Sequence, residues 1–175
     1  MEKRELPTFR VPFEISGNRE LFTGCISPTE FLFTLTKYAM DEDRRNWRSS
    51  GERTFVGSAS EERAIISNLG LAIIRLPRSA YEAHIKQLSR SIHLSIRPLD
   101  LFTRMSECGY WILYKGDESG CKRAVERVEE AYLPNIENSR ERSYLRNSLK
   151  VRLIMRMPGE PRNQWIGRID RAYWM

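Results

Sequence analysis

The sequence predicts an α+β fold, a ferredoxin-like βαββαβ sandwich in which a four-stranded antiparallel sheet carries two helices on one face. Three observations lead there: the element order over residues 71–157, two capped amphipathic helices, and the size of the chain. At 175 residues, with 41% hydrophobic and 30% charged residues, the chain holds enough apolar material for one domain with an elaborated flank, and no disorder signature. Leu71 to Leu76 is a short apolar run stopped by Pro77 and reads as the first strand. Ser79 and Glu82 form a capping box, and Tyr81, Ile85, Leu88 and Ile92 recur at helical spacing, predicting a helix to about Ser89. Ile92, Leu94 and Ile96 alternate with His93, Ser95 and Arg97, predicting a second strand with one wet face. Gly109 to Lys115 (GYWILYK) is aromatic and β-prone, a third strand. Cys121, Ala124, Val125, Val128, Ala131 and Tyr132 make an apolar stripe, a second helix ending before Pro134. Val151, Leu153, Met155 and Met157 alternate with Lys150, Arg152, Ile154 and Arg156, a fourth strand with one largely basic side.

Flanking this core (71–157), residues 1–70 read as an N-terminal strand-helix extension packing on it, and 158–175 as an extra C-terminal strand or docking segment. Phe9 to Ile15 has the period-two pattern of a half-buried strand. Ser27-Pro28-Thr29-Glu30 starts a helix over about 28–40 with Phe31, Leu35 and Tyr38 on one side; 41–57 is charged and aperiodic, hence a loop; Ser58 to Gly70 reads as a short helix. Gln164 to Met175 is rich in β formers and aromatics, so it pairs with the sheet or, if Trp165, Ile169 and Tyr173 stay exposed, drives homo-oligomerisation.

Net charge is +6, and it is asymmetric: residues 71–175 hold 19 Lys/Arg against 12 Asp/Glu, and 138–175 hold nine basic residues against Glu141, Glu160 and Asp170. A localised basic surface attracts polyanions. Because both helices bury their stripes on one sheet face, the other is either open or covered by residues 1–70. If it is open, Arg75, His93, Arg97, Tyr110, Tyr114, Lys150, Arg152 and Arg156, with Arg140, Arg142 and Arg146 on the approach, form a charged rim around an aromatic centre. Aromatic rings stack on unpaired bases while cations neutralise phosphates, so the expected partner is RNA or another single strand. If it is covered, Tyr110 belongs to the core and only the basic edge remains.

The LAIIRLP run with its capped helix, and CGYWILYK followed by the acidic turn 116–119 and the helix with Lys122-Arg123-Ala124-Val125, resemble the RNA-recognition-motif family over residues 71–157. The resemblance implies an RNA-binding sheet with stacking residues on the first and third strands. Ala72, Ile112 and Lys115 stand where that family has aromatics, and only Tyr110 keeps a stacking role.

The expectation is therefore a non-enzymatic nucleic-acid-binding protein. The alternative is a structural or adaptor protein, such as a viral matrix-like assembly subunit, whose basic face meets an acidic protein or membrane surface. Three cysteines without C-x-x-C spacing and two histidines suggest no disulfide framework, metal or cofactor, and a cytoplasmic or nuclear location. No phosphate-binding glycine loop or nucleophile elbow occurs, and Asp41-Glu42-Asp43 reads as a solvated loop. The longest uncharged apolar stretch, Ala64 to Ile74, is too short for a bilayer span.

Overall fold

A computed structural model describes residues 15–16, 19–20, 25–51, 67–78, 80, 82–133 and 137–174. Its elements are β1 (Ile15–Ser16), β2 (Arg19–Glu20), α1 (Pro28–Gly51), β3 (Leu69–Arg75), α2 (Glu82–Ser95), β4 (Leu101–Ser106), β5 (Gly109–Lys115), α3 (Glu118–Tyr132), α4 (Ser139–Ser148), β6 (Lys150–Met155) and α5 (Arg162–Trp174). The fold is α+β. Strands β4-β5-β3-β6 form one four-stranded sheet in that order, every pairing antiparallel, and β1 and β2 pair with each other.

Helices cover both faces of the sheet. On one side α2 and α3 bury Ile85, Leu88, Ile92, Cys121, Ala124 and Val128 against Ala72 and Ile74 of β3, Phe102 of β4, and Tyr110, Ile112 and Tyr114 of β5. On the other, α1 (Phe31, Leu35, Ala39) and α5 (Trp165, Ile169, Tyr173) close over Leu69, Leu71 and Ile73 of β3, Trp111 and Leu113 of β5, and Ile154 of β6. Strands β3 and β5 are buried over six successive residues each, because each alternating set meets a helical layer. The expected open face is thus roofed, chiefly by α1 and α5.

Several expectations are corrected. The strand expected over Ile92 to Arg97 is the last turn and exit of α2: Ile92 continues the Ile85–Leu88 stripe, and the second strand is β4 instead. The C-terminal extra strand is the helix α5, whose Trp165, Ile169 and Tyr173 repeat every four residues and are buried. They pack inside the molecule and so do not supply the expected oligomer contact. Helix α1 runs on to Gly51, through part of the expected loop. The strand expected from Phe9 and the helix expected from Ser58 lie mostly outside the described residues, with Ile15 in β1 and Leu69 and Gly70 in β3. Helix α4, absent from the sequence reading, starts at Asn138, whose Oδ1 accepts from the amides of Arg140 and Glu141 at 3.0 and 3.3 Å.

Candidate functional site: the α2–β4 turn

The predicted site residues do not share a wall. Tyr110 is fully buried on the α2/α3 side, where its hydroxyl accepts from Ser89 Oγ at 2.8 Å and donates to the Ile85 carbonyl at 3.1 Å. It cannot stack on a base. Tyr110→Phe should cost about 1–2 kcal/mol in a urea melt, since two buried partners lose their bond; an unchanged midpoint would contradict this reading. Tyr114 is also fully buried on that side, and burial pushes its phenol pKa up. Lys150 and Arg152 lie across the sheet from both tyrosines, with Arg152 Nη1 donating to the Ala172 carbonyl at 3.5 Å. Arg75 donates to the Tyr173 carbonyl and lies over its ring. Arg140, Arg142 and Arg146 sit on α4. Arg156 is 4% exposed and engaged in an internal ion cluster. The proposed wall of Tyr110 with the β6 cations does not exist, because the period-two pattern puts them on opposite faces. Burial pushes the Cys121 thiol up to about 11, in keeping with its place in the core.

Two predicted residues do come together, His93 and Arg97, around a cavity of about 330 Å³ between the end of α2 and the start of β4. Ile26, Ile96, Pro98, Asp100, Leu101 and Phe102 complete its lining. The local sequence builds it. Helix α2 ends at Ser95, and Arg97-Pro98-Leu99-Asp100 turns back with the Asp100 amide donating to the Arg97 carbonyl at 3.0 Å. The Asp100 carboxylate, with none of its side chain exposed, accepts four bonds: from the Arg97 amide (3.1 Å) and Nε (3.0 Å) on Oδ2, and from Arg97 Nη2 (3.2 Å) and the Lys115 amide (3.1 Å) on Oδ1. Arg97 Nη2 also donates to the Lys115 carbonyl at 2.7 Å. The fork of Arg97 is therefore fixed on two sides, while its side chain remains 45% exposed and Nη1, beside Gly116, has no acceptor among the described residues. The Asp100 bond raises the Arg97 pKa further, so the group is a permanent cation.

A guanidinium held in this way presents its outer N–H groups to an incoming anion with little rotamer entropy left to lose. The His93 ring stands edge-on to Phe102 with centroids 4.6 Å apart, and with Ile96 and Leu101 this gives the cavity an apolar wall beside the cation. On helix α3 Arg127 is exposed and outside the cavity lining, and its carbonyl accepts from Ser95 Oγ at 3.4 Å. The sequence reading found Arg97 as a rim cation on a strand and missed Asp100. The signal available was the Arg-Pro-Leu-Asp turn itself, a proline and an acid just before an apolar run. No three His, Cys, Asp or Glu gather as a metal cluster among the described residues, and no described helix is long and apolar enough to cross a membrane.

No family model matches the chain, and no curated protein does. Solved structures do. The chain is similar to the diguanylate cyclase SiaD, solved with its activator SiaC from Pseudomonas aeruginosa, at 15% identity and a TM-score of 0.58; the match covers 89% of this chain and 56% of SiaD. It is similar to the GGDEF domain of DgcB from Caulobacter crescentus, solved with c-di-GMP, at 13% identity and a TM-score of 0.57, over 92% of this chain and 90% of that one. A longer piece of DgcB with its coiled coil, again with c-di-GMP, matches at 12% identity and a TM-score of 0.62, over 90% and 78%. At these identities the likeness is one of fold. It overturns the expectation of a nucleic-acid-binding protein with an RNA partner, and with it the matrix-like alternative and the placing of the chain outside the enzymes, because the matching folds are a diguanylate cyclase and GGDEF domains.

Proposed function

We propose that the chain is a ferredoxin-like, GGDEF-type domain that binds c-di-GMP at the α2–β4 turn, with Arg97 as the phosphate contact and Asp100 as the residue that positions it. The observation that carries the reading is Arg97, whose guanidinium is held by a buried carboxylate while its side chain stays 45% exposed and lines a cavity of about 330 Å³. A cyclic dinucleotide offers two phosphodiester anions and two planar bases. Arg97 supplies a cation for one phosphate, and the His93–Phe102 wall supplies the apolar surface a purine needs. The c-di-GMP bound in the DgcB structures supports the choice of ligand.

Asp100 is saturated by four bonds, so it serves the ligand through Arg97 and does not contact it. Isothermal titration of the full chain with c-di-GMP should show saturable binding, weakened about 10- to 100-fold by Arg97→Ala, the cost of one charge-assisted hydrogen-bonding group. Raising the salt should weaken the wild type more than the variant, because one phosphate contact has been removed. Equal affinities for the two proteins would remove Arg97 from the site, and absence of binding would end the proposal.

A further inference from the structure

A second cavity, of about 720 Å³, lies between the second half of α1 and the turn from β6 into α5. Its floor is an ion cluster. Arg156 donates to the Ala39 carbonyl (3.1 Å), to Glu42 Oε2 (2.8 Å), to Asp43 Oδ1 and to the Glu160 carbonyl (2.8 Å). Glu42 also takes the Ser67 hydroxyl and the Asn68 amide, at 3.1 and 2.7 Å. Glu160 takes Arg168 twice, at 2.7 Å each, and the Met157 amide at 2.9 Å. Burial works against the Glu160 charge, but these bonds outweigh it and hold the carboxyl below its usual range.

Glu42 and Glu160 therefore spend their acceptor capacity internally, while donors remain to be used. Arg156, 3% exposed in its side chain, is among the residues lining the cavity, and its buried Nε has no acceptor among the described residues. Arg162 and Asn163, the first two residues of α5, also line it, their amides donate to no acceptor among the described residues, and the first turn of that 13-residue helix holds no acid. Arg162 lies at the same helix start, and Arg44 at the rim is 69% exposed. Beside these donors, Trp47 offers an indole that is 80% exposed.

From these observations we infer that the α1–α5 cavity is a second ligand site, built for a nucleoside monophosphate: phosphate at the start of α5 and Arg162, base on the Trp47 ring. Its volume suits a ligand of that size, and stacking on one aromatic contributes about 1–3 kcal/mol. It is separate from the c-di-GMP site, since the two cavities share no lining residue.

The test is a tryptophan-fluorescence titration with GMP, in the wild type and in Arg97→Ala, so that binding at the α2–β4 turn is not read as binding here. Saturable quenching is expected in both backgrounds. It should be weakened at least about 10-fold by Arg162→Ala and competed by inorganic phosphate, while guanosine alone binds at least about 10-fold more weakly; for Trp47→Leu, which removes the reporting ring, isothermal titration should show GMP binding weakened at least about 10-fold. Trp47 is exposed and Arg162 partly exposed, so circular dichroism should show both variants folded as the wild type. Binding that survives both substitutions, that disappears in Arg97→Ala, or that never saturates would each overturn the inference.

Discussion

Arg156→Met is expected to destabilise the fold by about 3–5 kcal/mol, because it strips the cation from a buried carboxylate while leaving the carboxylate in place. Arg156 and Glu42 have side chains 3% and 5% exposed, and one guanidinium ties α1, through the Ala39 carbonyl and Glu42, to the Glu160 carbonyl ahead of α5. Methionine fills much of the volume but donates nothing, so Glu42 keeps only Ser67 and Asn68, and two buried carbonyls lose their partner. The double variant Arg156→Met/Glu42→Leu should recover part of the loss, because the lone charge has gone. Urea denaturation measures both. A single variant within ~0.5 kcal/mol of wild type, or a double variant that costs the sum of the two singles, would mean that the cluster is not coupled in this way.

Trp165→Ala should cost a similar amount, about 3–5 kcal/mol, by a different route. Trp165 is wholly buried, packed between α5 and the sheet, and its Nε1 donates to the Ile154 carbonyl at 3.3 Å. Truncation opens a cavity and removes one of the two donors to that carbonyl, which keeps its ladder bond to Leu71 of β3. Trp165→Phe should lose less, since most of the volume stays. If Trp165→Ala instead left the denaturation midpoint unchanged, α5 would not be the roof of the sheet in solution, and the segment would be free for the oligomer contact the sequence suggested.

Both residues show where the sequence was legible and where it was not. Strands β3, β5 and β6 and helix α3 could be read from pattern, because their apolar repeats are unambiguous and local turn chemistry bounds them: Pro77 after β3, and Asp117, whose side chain caps α3 by accepting from the Gly120 amide at 2.7 Å. The face each residue of β5 presents could not. Tyr110 and Trp111 are both buried, one under α2 and the other under α1 and α5, so alternation in β5 carries no record of inside and outside.

Helix α1 was cut short for a related reason. The apolar stripe Phe31, Leu35, Ala39 continues into Glu42, a charge at a core position, and its partner Arg156 lies 114 residues away. No local rule sees that pairing. Ile92 to Arg97 satisfied a period of two and a period near four equally, and the packing of Ile92 on the α2 stripe decided between them. In the C-terminal segment β propensity competed with the four-residue spacing of Trp165, Ile169 and Tyr173, and tertiary burial favoured the spacing. At the candidate site Arg97 was identifiable as an accessible cation. What makes it a site, the closure of Asp100 onto the end of β5 through the Lys115 amide, is a long-range contact.

The central claim is that a ligand phosphate meets the outward edge of a guanidinium clamped by Asp100. A crystal structure of the full chain grown with c-di-GMP tests it most directly. The account predicts a phosphate oxygen within hydrogen-bonding distance of Arg97 Nη1, with a guanine against the His93–Phe102 wall. A dinucleotide seated elsewhere, with Arg97 left facing solvent, would contradict it.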